Sequence, residues 1–148
     1  MRTISPLLTV PILLSALASP DLLAREVTSP GDTAARWYSA AELERGRTLF
    51  QANCAACHGD RGQGQPGWEE RDESGYYPAP PLDGTGHSAN HPIEQMLRTL
   101  DTGGGPMGGT MPSFQDVLDD AGKRAVIAWF QSLWPAATYE AWTRLAND

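Results

Sequence analysis

Cys54-Ala55-Ala56-Cys57-His58 constrains this chain more than any other stretch of its sequence. It uses both cysteines of a 148-residue chain and one of its three histidines. Two intervening residues let one helical turn present both sulfurs to one edge of a flat group, and the histidine that follows falls beneath the centre of that group. C-x-x-C-H is the attachment pattern of haem c: each thiol adds across one vinyl group, and the imidazole ligates iron. Competing chemistries fit less well. A dithiol redox pair belongs in a βαβ setting, and no segment here shows the period-two alternation of a strand. A zinc site needs a second ligand pair at matching spacing, and only His87 and His91 remain. A disulfide across two residues would be strained.

Length and composition set the frame. Hydrophobic residues make up 41% and charged residues 20%, which excludes a disordered chain and a polytopic membrane protein. Eleven Lys+Arg against eighteen Asp+Glu give a net charge of −7, the wrong sign for a nucleic-acid partner. At the N-terminus, Arg2 precedes an apolar run from Ile4 to Ala18, and Ala16-Leu17-Ala18 reads as a small-x-small cleavage site. Residues 1–18 are therefore expected to be an export signal, with a periplasmic or otherwise exported destination. The run is shorter than the ~20 residues that span a bilayer, so membrane contact would arise only if it were left uncleaved. Residues 19–38 lack apolar periodicity and read as a flexible linker, leaving 39–148 as the folded domain.

Within that domain the pattern is helical. Ser39 and Glu42 form a capping box for a helix over 40–53, with Leu43, Gly46, Leu49 and Phe50 on one face. A long loop over 59–86 carries an acidic run, Glu69, Glu70, Asp72 and Glu73, which reads as a solvated loop or a partner-docking patch. Pro92 is expected at the first position of a second helix whose stripe is Ile93, Met96, Leu97 and Leu100, and Gly103 to Gly105 stop it. Asp119 caps a third helix that buries Val126, Ile127, Trp129, Phe130 and Leu133. Pro135 ends it, and a short terminal helix over 139–145 turns Tyr139, Trp142 and Leu145 to the body. The expected fold is all-α: three core helices, long loops and a short extra C-terminal helix.

With these residues in place, the stretch 42–134 resembles a class I monohaem cytochrome c of the bacterial periplasmic kind. Gly46-Arg47-Thr48-Leu49-Phe50 ahead of Cys54 is similar to that family's first helix, and Trp129 matches the aromatic that meets its glycine. Pro80-Pro81-Leu82-Asp83-Gly84 resembles the family's proline-x-leucine-x-glycine stretch. The match implies that the Pro80 carbonyl accepts a hydrogen bond from Nδ1 of His58, and that Leu82 packs on the haem face. Five side chains compete for the distal position on iron: Met96, Met107, Met111, His87 and His91. Met96 lies in a helical stripe. Met111-Pro112 with Phe114 beyond is similar to the family's Met-Pro-x-Phe ligand loop, a context that Met107 lacks. The resemblance thus implies one covalently attached haem c held by Cys54 and Cys57, with His58 and Met111 on the iron.

Filling both axial positions blocks substrate from the metal, so the expectation is an electron carrier with no catalytic residues. It would shuttle single electrons between redox proteins whose docking surfaces are basic. A haem c subunit, or the electron acceptor of a periplasmic oxidoreductase, is the second reading. A third comes from Gly86-His87-Ser88-Ala89-Asn90-His91-Pro92. There His91 caps a helix and His87 is a surface or loop-packing residue, or the pair forms a metal-handling site or a redox-linked proton switch. One of Trp68, Tyr76 and Tyr77 is expected to hydrogen-bond the haem propionates.

Overall fold

The computed structural model describes residues 36–145. The expected export signal, residues 1–18, and linker residues 19–35 lie outside the described residues. Five helices follow in order: α1 (Ala40–Asn53), α2 (Ala55–His58), α3 (Ile93–Thr102), α4 (Asp120–Ser132) and α5 (Ala136–Leu145). Among the described residues there is no strand, and one isolated parallel bridge pairs Tyr77 with Gly109. No described helix is long and apolar enough to cross a membrane.

Capping chemistry sets the helix starts. Ser39 Oγ accepts from the Glu42 N–H at 3.2 Å, and the Glu42 carboxylate accepts from the Ser39 N–H at 2.8 Å. The Asp119 carboxylate accepts from the Gly122 N–H at 2.7 Å and opens α4. Pro92 stands one position earlier than expected: it is the N-cap of α3, with extended backbone, and its carbonyl accepts the Met96 N–H at 3.2 Å. The terminal helix is longer than expected, because the Pro135 carbonyl accepts the Tyr139 N–H and starts α5 at once. Tyr139 and Trp142 are buried as expected, but Leu145 is 57% exposed and packs on nothing. A 3-10 turn at His87–Asn90 precedes α3, where the sequence pattern showed only loop.

The centre of the domain is the crossing of α1 and α4. A Cβ at Gly46 would lie 1.9 Å from the Ala125 carbonyl oxygen and 3.0 Å from the Trp129 Cβ. Only glycine lets the two backbones approach this closely. One turn on, the rings of Phe50 and Trp129 lie 4.2 Å apart between centroids. Ile127 and Val126 are fully covered beside them.

Three indoles extend this core to the chain around it. Trp37 donates to the Gln131 side chain at 2.7 Å, and the Arg36 guanidinium lies 3.7 Å over the Tyr139 ring. Residues 36–38, read as the end of the linker, thus lie against the helices. Trp134 donates to the Leu82 carbonyl and Trp142 to the His91 carbonyl, each at 2.8 Å. Both bonds pin the long connection between α2 and α3 to the C-terminal part of the domain.

Candidate cofactor site

A cavity of about 520 Å³ opens between α2, α3, α4 and the two long loops. That is the size of a cofactor site, which spans roughly 300–1,000 Å³. Leu82, Leu100, Phe114, Val126, Ile127 and Phe130 supply apolar wall.

The C-x-x-C-H turn forms one edge. Cys54 ends α1 with its N–H on the Phe50 carbonyl, and α2 then carries Cys57 and His58 for one turn, with the His58 N–H on the Cys54 carbonyl at 2.9 Å. Both cysteines border the cavity and both are free thiols, Cys54 buried and Cys57 exposed. Burial pushes the Cys54 thiol up to about 11, and the neighbouring Cys57 adds to the shift. A dithiol redox pair needs the opposite, a thiol lowered toward neutrality.

His58 is buried and its tautomer is set by geometry. Nδ1 lies 2.8 Å from the Pro80 carbonyl, which can only accept, so Nδ1 carries the proton and Nε2 keeps its lone pair. Burial, partly opposed by the Pro80 bond, pushes the imidazole below its ordinary range and keeps it neutral, as a metal ligand must be. The Pro80 carbonyl is held in register by a short backbone zipper. Gly64 N–H donates to the His58 carbonyl, Gln65 N–H to Ala79 and Leu82 N–H to Gly62. Gly64 adopts φ +71, and a Cβ there would lie 2.5 Å from the Pro81 nitrogen, so the loop can close on Pro80-Pro81 only at a glycine.

Opposite elements bring the methionines. Met111 is half-buried against the core, and its carbonyl accepts the Gly104 N–H at 2.9 Å, which ties its loop to the end of α3. Phe114 N–H donates to the Leu100 carbonyl at 2.7 Å and secures the far side of that loop. Met96 and Met107 also border the cavity. Met96 is buried within the α3 stripe, whereas Met107 is 56% exposed. The structure therefore brings Cys54, Cys57, His58, Pro80, Leu82 and Met111 around one cavity. Two free thiols on a single turn, a neutral oriented imidazole, a thioether and apolar walls form the donor set that haem c requires.

One wall joins residues that the sequence singled out separately, and their contact is what the sequence did not show. Trp68 stacks on His87 at 5.5 Å between centroids, and the His91 ring meets His87 edge-on at 5.6 Å. Both histidines border the cavity, as do Trp68, Tyr77 and Ser88, while Tyr76 does not. Burial, aided by His91, lowers the pKa of His87. Among the described residues no three His, Cys, Asp or Glu side chains cluster to hold a metal ion. The acidic run is local: the Asp72 carboxylate accepts the N–H groups of Ser74 and Tyr76, while Glu70 and Glu73 are exposed.

Residues 41–130 match the family model for cytochrome c oxidase, cbb3-type, subunit III. No curated protein and no solved structure matches the chain.

Proposed function

Because the chain belongs to the family of cytochrome c oxidase, cbb3-type, subunit III, and so is a monohaem c-type cytochrome with covalently bound haem c, we propose that it carries single electrons between redox proteins outside the cytoplasm, with His58 and Met111 as the axial ligands of iron. Haem-based electron transfer follows from the family; the ligand pair, the compartment and the partners are the proposal.

One observation carries the ligand assignment. The His58 Nδ1–Pro80 bond leaves Nε2 as the only free ring lone pair, on a cavity that also has the Met111 thioether on its wall. The bound haem supplies the one-electron chemistry. Cys54 and Cys57 would hold it by thioethers. Pro80 orients the His58 ring and raises its basicity. Leu82 and the core side chains exclude water, and a thioether opposite the imidazole favours the ferrous state and raises the potential. With His58 and Met111 holding the iron, exogenous molecules would be kept from the metal, and the exposed Cys57 side of the site would be the one that partners reach.

The family description also favours a second reading, a haem c subunit of an oxidoreductase complex. In either setting the net charge of −7 suits partners with basic docking surfaces, and the rate of transfer should fall as salt rises. The residues 1–18 pattern supports export.

The ferric absorption spectrum of the haem-loaded protein tests the ligand pair. A weak far-red methionine–iron band is expected in the parent and lost in Met111→Ala. Its persistence in that variant, with loss in Met107→Ala, would move the ligand to Met107. Carbon monoxide binding by the undenatured ferrous parent would overturn the six-coordinate carrier.

A further inference from the structure

The cavity has a lining with an unusual charge inventory. Among the described residues it includes no lysine and no arginine. Of the described residues that line it, His58, His87 and His91 are the side chains able to become cationic, and Glu69 is the acidic one. His58 is committed through Pro80. Haem c carries two carboxylates, and burying them without a cation or donors is costly.

One wall offers those donors. The Ser88 hydroxyl is fully covered and has no hydrogen-bond partner, although Ser88 is 92% buried beside the cavity. Such an orphaned group marks a missing partner. The Trp68 indole N–H and the rings of His87 and His91 also make no hydrogen bond among the described residues. Trp68 stacks on His87, and Trp142 fixes the turn by donating to the His91 carbonyl. The wall thus turns several donors toward the cavity.

We propose that Trp68, His87 and Ser88 form the seat of the haem carboxylates, and that His87 exchanges a proton with solvent as the iron changes oxidation state. This rests on the haem reading, but not on which methionine binds iron. When the partner delivers one electron, the positive charge near His87 falls by one. His87 then takes one proton from solvent, and oxidation returns both. Charged and titratable groups around it act in known directions. The carboxylates and Glu69 favour its cation, while His91 beside it disfavours it. α5, packed on the same turn, contributes Glu140 and Arg144. The exposed position of His87 keeps it in reach of solvent.

The test is the reduction potential of the haem-loaded protein between about pH 5 and 8, the range in which histidine titrates. The potential should fall as pH rises within a window. The limiting slope is a tenfold change in the reduction equilibrium per pH unit, about 59 mV for one electron. His87→Gln should flatten the profile, and His91→Gln should keep it. A flat parent profile, or a slope unchanged in His87→Gln, overturns the proposal. Histidine NMR titration of the parent needs no variant: His87 should have a higher pKa in the ferrous than in the ferric protein, and equal values overturn the linkage. The far-red band, read on the same samples, reports separately on Met111.

Discussion

At the α1–α4 crossing, the apolar surfaces find their partners in the polypeptide. Gly46 receives the Ala125 carbonyl, Phe50 meets Trp129, and Ile127 is fully enclosed. Along the wall from Trp68 to His91, partners are missing: a covered hydroxyl on Ser88 and an unbonded indole on Trp68 face a cavity of about 520 Å³. The first region is finished by the chain, and the second, on the proposal above, would be finished by the haem carboxylates. This division separates stability from redox tuning. Changes at the crossing should alter folding free energy and leave the potential alone, and changes at the wall should do the reverse.

The sharpest way to break that division is Gly46→Ala. One methyl group would sit 1.9 Å from the Ala125 carbonyl oxygen, so the helices must separate. Overpacking a backbone contact of this kind should cost about 3 kcal/mol or more. Denaturant unfolding of the haem-loaded protein measures it. A cost below about 1 kcal/mol would mean that α4 slides on α1 without penalty, and that the crossing is not the rigid partner in the comparison.

Trp134→Phe probes the boundary between the regions. The change keeps most of the ring contact with Phe130 and Trp142 but removes the donor to the Leu82 carbonyl. A covered acceptor left without its partner costs about 1–3 kcal/mol. Because Leu82 belongs to the segment that holds Pro80 on His58, the far-red methionine–iron band and the potential should shift as well. A loss of stability with an unmoved potential would show that the Gly62–Leu82 zipper holds Pro80 without help from the core.

How far each region could be read in the sequence follows from the same division. The crossing announces itself: a glycine among Leu43, Leu49 and Phe50 on one face, and Trp129 at the matching point of α4, are local patterns with a helical period. The capping boxes were legible for the same reason, since Ser39 and Glu42 act within one turn. C-x-x-C-H was legible because bond chemistry fixes its spacing. The wall was not. Trp68 and His87 are nineteen positions apart in loops, and neither periodicity nor composition says that their rings stack. The anchoring roles of Trp134 and Trp142 were equally hidden, because an indole hydrogen bond to a loop carbonyl depends on where that loop returns. Leu145 misled for the opposite reason. It continues the apolar spacing of Tyr139 and Trp142, but it falls at the last turn, past the edge of the body.

The smallest effect should come from Ser39→Ala, far from the cavity. Ser39 accepts from the Glu42 N–H, so its loss should cost about 1 kcal/mol. The same box predicts a pH dependence with a definite sign. Hydrogen bonds from the Ser39 backbone and side chain hold the Glu42 carboxyl below its ordinary value of 4.5. A carboxylate depressed in the folded state stabilises the fold above its unfolded pKa, and that contribution drains as pH falls through the folded value. In Ser39→Ala one of the two hydrogen bonds is gone, so stability should depend less steeply on pH at the acid end than in the parent. The potential should not move at any pH. A shifted potential in this variant would mean that the end of α1 communicates with the cavity, and the separation between the finished and the unfinished region would fail at its most distant point.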